Sequence, residues 1–234
     1  MSEAERAGVR RLVTGAGAGL AGGIASLVLP AAFLTLARYD PGGFFTFGPT
    51  LVTAIGILVL AGGLLFLASL FLYRRGFAAL RRVDRRFLTA SILCLIGTVG
   101  FVLVLLAAIV LVGSASDVVT CAQGRPTQAL SCLRSGSALG VWAGIIGIAL
   151  GWIGGIGIVL GLALAGRHFH HGTLGAGAAL YGVLLLVVIA PLLALLRTTA
   201  DLSLLFLAIP VLAVLAPGLV LLGTVPEIPE TAPP

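Results

Sequence analysis

The sequence predicts an all-α polytopic integral membrane protein, a bundle of six transmembrane helices with both termini cytoplasmic. Three observations carry that expectation. Of 234 residues 59% are hydrophobic and only 9% charged, with a mean hydropathy of +1.20; soluble domains carry about 25% charged residues. Six apolar stretches are each long enough to cross a hydrocarbon core, which takes about 20 helical residues. Arginines cluster beside those stretches rather than along them. A soluble fold of this length covers its surface with polar side chains, and this chain lacks them. The composition therefore excludes a soluble enzyme, a disordered chain and a nucleic-acid-binding domain.

The expected order begins with a cytoplasmic segment, 1–11, and a first span, Leu12–Ala37, which is too long for the apolar region of a cleaved signal. Span two is Pro49–Tyr73, span three Phe87–Gly113, span four Ser137–Gly166, span five Leu174–Leu196 and span six Leu202–Gly223. Together they make a transmembrane domain over 12–223, and a proline-rich tail, 224–234, follows as a flexible cytoplasmic segment. Strands do not fit, because a membrane barrel alternates apolar and polar residues and these runs are continuous. Prolines at 30, 191, 210 and 217 fall inside spans, and the two in span six are expected to kink or break it.

Orientation follows from the arginines, which supply all 14 basic residues. With the N-terminus inside, the cytoplasmic segments hold Arg6, Arg10, Arg11, Arg74, Arg75, Arg81, Arg82, Arg85, Arg86 and Arg167, against Arg38, Arg125, Arg134 and Arg197 outside. That is the positive-inside bias. A pI near 10.2 suggests nucleic acid in a soluble protein; beside apolar spans it indicates topogenic charge. At 100° per residue, the six arginines of the 74–86 loop fall within about 140° of arc, with Leu80, Val83 and Phe87 opposite. This basic face, Arg74, Arg75, Arg81, Arg82, Arg85 and Arg86, reads either as an amphipathic helix on a bilayer with anionic headgroups or as an ordinary topogenic loop. The absence of Asn and the scarcity of Gln, found only at Gln123 and Gln128, fit a thermophile, while a GC-rich genome would also favour Arg over Lys.

Cys121 and Cys132 share the third loop, which this orientation places outside, where thiols oxidise. They are expected to form a disulfide, the alternative being two free thiols. Cys94 lies in span three as a small packing residue. Buried ionisable groups usually mark ion paths or cofactors, yet no acid and no histidine lies within a span. The expectation is no enzyme, no cofactor and no catalytic or metal site. Arg167-His-Phe-His-His171 reads as interfacial anchoring, since it brings no carboxylate or thiol partner with it.

Span four supplies the positive signal. Gly140, Gly144, Gly147, Gly151 and Gly155 repeat at three- and four-residue spacing, a smooth stripe that another backbone can approach closely. Trp142 and Trp152 are placed to fill grooves beside it. The stripe reads as a contact between subunits, as packing on a neighbouring span, or as a by-product of 33 glycines.

Tyr73-Arg-Arg-Gly-Phe77 and then Val83-Asp-Arg-Arg-Phe87 resemble the central cytoplasmic signature of an archaeal multi-pass membrane family catalogued as domain of unknown function 973. That signature is a Tyr-Arg-Gly-Phe string followed by Val-Asp-Pro-Arg-Phe. The paired cysteines and the segment Gly161-Leu162, Arg167-His168-Phe169 and Gly175-Ala176 are similar to the family's as well. The likeness runs from about Val52 to Leu186 and departs at Arg85, where the family has Pro, and in the extra Arg beside Gly76. It implies an archaeal multi-pass protein and no activity. The functional expectation is an accessory or scaffolding subunit that binds other membrane subunits or itself. The alternative is a transporter or channel for a neutral or lipid-like solute.

Overall fold

The computed structural model describes residues 2–36, 38–39, 45–46, 49–114, 138–194 and 203–224. They form six helices, α1 (Glu3–Leu36), α2 (Pro49–Leu80), α3 (Phe87–Gly113), α4 (Ala138–His168), α5 (Gly172–Ala194) and α6 (Ser203–Thr224). One short antiparallel ladder joins β1 (Arg38–Tyr39) to β2 (Phe45–Thr46), with Arg38 opposite Thr46. Three helical segments are long and apolar enough to cross a membrane, Leu60–Leu80, Phe87–Val110 and Ala138–His168; Gly172–Val187 and Val211–Gly223 are shorter apolar helices.

The helices overrun the apolar stretches where local chemistry extends them. α1 begins at Glu3 rather than Leu12 because Ser2 and Glu5 form a capping box. The Glu5 N–H donates to Ser2 Oγ at 3.3 Å, and the Ser2 N–H donates to the Glu5 carboxylate. α2 continues seven residues past Tyr73 to Leu80. The expected break in the last span does not occur: α6 runs unbroken through Pro210 and Pro217. Each proline forfeits one helical N–H, a loss that packing from neighbouring helices can offset; Pro217 is fully buried, beside Gly19 of α1.

Glycine contacts define the topology. Along α1, Gly8, Gly15 and Gly22 meet Leu80, Tyr73 and Leu65 of α2, so the two helices run antiparallel. The same falling order joins α3 to α4, where Gly157 meets Cys94, Gly147 meets Gly100 and Gly140 meets Val110. α5 packs between α4 and α6, and Gly19 and Gly23 of α1 close the circuit on Pro217 and Ala213 of α6. The result is an up-and-down ring in which each helix packs against its chain neighbours and α6 returns to α1. The core lies toward the end that carries Leu12, Tyr73, Phe77, Leu80, Phe87 and Leu174. Large apolar side chains face outward: Leu186 and Leu222 are each 67% exposed. Water would penalise each such side chain by about 1.5–3 kcal/mol relative to burial, and lipid would not.

The α4–α5 connection is a Schellman turn. The His171 N–H donates to Gly166 O at 3.0 Å, and His170 takes the left-handed conformation at φ 57°. Glycine is the usual residue there, and a Cβ in that region costs about 1 kcal/mol. His170→Gly is therefore expected to stabilise the fold by about 1 kcal/mol, read as a raised melting temperature in detergent.

Candidate functional site

The ring brings the N-terminus of α1, the α2–α3 turn and the α4–α5 turn to one end. Arg6, Arg10, Arg11, Arg74, Arg75, Arg81, Arg82, Arg85, Arg86 and Arg167 all lie at that end, and all but the half-buried Arg74 are exposed. Arg11 Nη1 donates to Arg75 O at 3.3 Å across the α1–α2 seam. The Arg75 guanidinium sits 4.6 Å from the centre of the Phe71 ring, a cation–π contact.

The six arginines of residues 74–86 do not share one helical face, which corrects the amphipathic-helix expectation. Arg74 and Arg75 belong to α2, whereas 81–86 form a turn. The Asp84 carboxylate accepts from the Arg86 N–H at 2.9 Å and Asp84 O from the Phe87 N–H at 3.2 Å, so the chain is reset to start α3. Leu80 and Phe87 are buried on either side of the turn, while Val83, placed with them by periodicity, is 44% exposed.

Beneath the basic end runs a column of aromatic rings. Tyr73 and Phe77 stack with centroids 6.0 Å apart, and Phe77 and Phe87 stack at 6.2 Å. Tyr181 meets Tyr73 edge-on at 6.3 Å, and His168 meets Phe87 edge-on at 6.3 Å. Such offset and edge geometries add about 0.5–1.5 kcal/mol per pair beyond area burial. The column draws on α2, α3, α4 and α5, and Gly161 makes room for it, because a Cβ there would overlap the Phe77 ring. Sequence reasoning missed this column. Its one local signal is the one-turn spacing of Tyr73 and Phe77, which says nothing of Phe87 or Tyr181. Tyr73 Oη is buried without a hydrogen-bond partner among the described residues. Nearby, Ser69 Oγ donates to Gly15 O at 2.8 Å across the α1–α2 seam.

The glycine stripe of α4 faces helices of the same chain. Gly140, Gly144, Gly147 and Gly151 meet Val110, Ala107, Val104 and Phe101 of α3, and Gly155 meets Leu185 of α5. The closest backbone approach between α3 and α4 involves residues outside that stripe: a Cβ on Gly97 or Gly154 would lie against the other's Cα. Cys94 is buried there, its thiol 3.8 Å from Gly154 O. Trp152 donates from Nε1 to Leu185 O at 3.2 Å, whereas Trp142 is 61% exposed rather than filling a groove. Cys121 and Cys132 lie outside the described residues.

His168 Nε2 lies 3.2 Å from Glu5 Oε1, joining the start of α1 to the end of α4. The Ser2 N–H and the His168 ring hold the Glu5 carboxyl below its ordinary value of 4.5. A carboxylate lowered in the folded state stabilises the fold above its unfolded value and loses that contribution as pH falls through its folded value. Glu5→Gln is thus expected to melt below the wild type at neutral pH, and the gap should shrink as pH drops below 4.5.

No protein-family model, no curated protein and no solved structure matches this chain.

Proposed function

We propose that this chain is a six-span protein of the cell membrane with cytoplasmic termini, a non-enzymatic accessory or scaffolding subunit of a membrane complex or a homo-oligomer. The observation that carries the scaffold reading is the filled interior. The stacked Phe77 and Phe87, fully buried, pack between α2, α3 and α4, and glycine seams bring the backbones together around them. A bundle spent on self-packing offers its outward faces to partners. The collection of ten arginines at one end supports the orientation, since basic residues favour the cytoplasmic side. On this reading the third loop is external with Cys121 joined to Cys132, and the anionic leaflet meets the arginine-rich end. The resemblance carried by Tyr73–Phe77 and Val83–Phe87 would place the chain in an archaeal setting, and its lack of Asn would fit heat adaptation.

Gentle purification followed by identification of co-purifying chains tests the role. A defined partner or a stable oligomer is expected; a monomer that moves a neutral solute across proteoliposomes would establish transport instead. Orientation is tested by labelling an introduced Arg81→Cys with an impermeant thiol reagent. Protection in intact cells is expected, and labelling from outside would reverse the topology.

A further inference from the structure

We propose that the segment 225–234 folds back on the bundle and seats Ile228 in the open depression at the α4–α5 turn. Glu227 and Glu230 then lie among the arginines of that end. Composition alone reads this proline-rich segment as a flexible tail. The depression measures about 460 Å³, and its walls, which include Ala163, Gly166, Gly172 and Gly175, are almost wholly carbon. A Cβ on Gly172 or Gly175 would meet nothing within 4 Å, so no described helix covers this face. Such walls suit an apolar side chain, which gains by leaving water, and offer little to a free anion.

The occupant follows from where the chain runs. α6 ends at Thr224, and Gly223 packs against Thr173 and Leu174 in the first turn of α5, beside Gly172. Pro226 and Pro229 oppose any continuation of that helix, since each lacks an N–H and its ring crowds the preceding turn. An extended chain covers about 3.3–3.6 Å per residue, so Ile228 can lie up to about 14 Å beyond Thr224. That reach takes in the depression. Ile228 is the largest apolar side chain of the segment and lies between its two carboxylates, Glu227 and Glu230. Among the described residues none of the ten arginines at this end forms an ion pair; the one pair there joins His168 to Glu5. Carboxylates arriving on a tether are drawn to that uncompensated charge. Tethering also raises the effective concentration to about the millimolar range, so contacts too weak to hold a separate peptide suffice. The docking needs only the fold at this end and not the membrane reading above.

The test uses the full chain in detergent carrying Ile228→photoleucine, a small apolar side chain that inserts into its neighbours on illumination. Peptide mass spectrometry then maps the adducts. They are expected to fall mainly on residues 163–175 of the same chain. Gly175→Leu keeps every charge and, with open space at its Cβ, should keep the melting temperature while filling the depression and removing those adducts. Glu227→Gln/Glu230→Gln leaves the helices untouched and should lower the adduct yield by about threefold, as two lost exposed ion pairs would. Adducts spread over detergent and the other outward helix faces would overturn the proposal. So would an unchanged yield at 163–175 in either variant. Mixing isotopically light and heavy chains separates the remaining occupant: adducts joining light to heavy would assign the depression to the segment of a second copy and overturn docking within one chain.

Discussion

Gly154→Ala and Gly97→Ala are each expected to destabilise the bundle by about 1–3 kcal/mol, while Gly151→Ala stays within about 0.5 kcal/mol of the wild type. The contrast comes from what a methyl group would meet. On Gly154 it would lie against the Cα of Gly97, and backbone cannot rotate aside as a side chain can. On Gly151 it would sit 3.5 Å from a Phe101 ring carbon, an ordinary van der Waals distance. Helices in lipid gain little from hydrophobic association, so separating α3 from α4 forfeits the dispersion contacts that hold them. The double variant should cost less than the sum of the two singles, because the first methyl already opens the seam that the second would enter. Thermal unfolding in one detergent measures all four variants. A Gly154→Ala protein that melts with the wild type would show that the seam is looser than this geometry.

Phe77→Ala is expected to cost about 3 kcal/mol or more, the largest loss from truncating a single side chain of the core. The ring is fully buried, stacked on Tyr73 and Phe87, and faces Gly161. Deleting it removes two aromatic contacts and leaves a void between α2, α3 and α4. The position of Gly161 provides a second arm. Gly161→Leu alone should be severely destabilising, because even its Cβ overlaps the Phe77 ring. In the Phe77→Ala background the same leucine has space to occupy, and the double variant should recover part of the lost stability. A double-mutant cycle in detergent reads the coupling, expected to be favourable and above about 1 kcal/mol. Additive effects would show that Phe77 and Gly161 do not share one site.

Much of the helical framework was legible because it depends on local composition. The α3 bounds match the apolar stretch Phe87–Gly113 residue for residue. The stop at Gly113 and the start after Asp84 are set by hydropathy and by a cap, both readable within one turn. Leu80 and Phe87 were placed on an apolar side and are buried, but Val83 was not separable from them by periodicity. Val83 is outside because α2 ends at Leu80, and the chain turns there through the Val83 and Asp84 N–H groups donating to Leu80 O, which ends the period. The capping box of Ser2 and Glu5 was present in the sequence as well, yet hydropathy alone starts the first helix nine residues late.

The amino-acid sequence by itself determined that this chain is helical, that it carries helices long and apolar enough for a membrane, and where its arginines collect. Those properties sum over neighbouring residues and need no knowledge of the rest of the fold. Only the tertiary structure decided which glycines matter and what fills the bundle. Gly97 and Gly154 lie 57 positions apart, and nothing local distinguishes them from the more regular stripe through Gly140 and Gly151. Phe77, Phe87 and Tyr181 become one aromatic column only when three helices meet around Gly161. The physical reason is that a close approach is a property of two surfaces. A glycine in the sequence offers one of them, and the helix that folds against it determines whether that space is used.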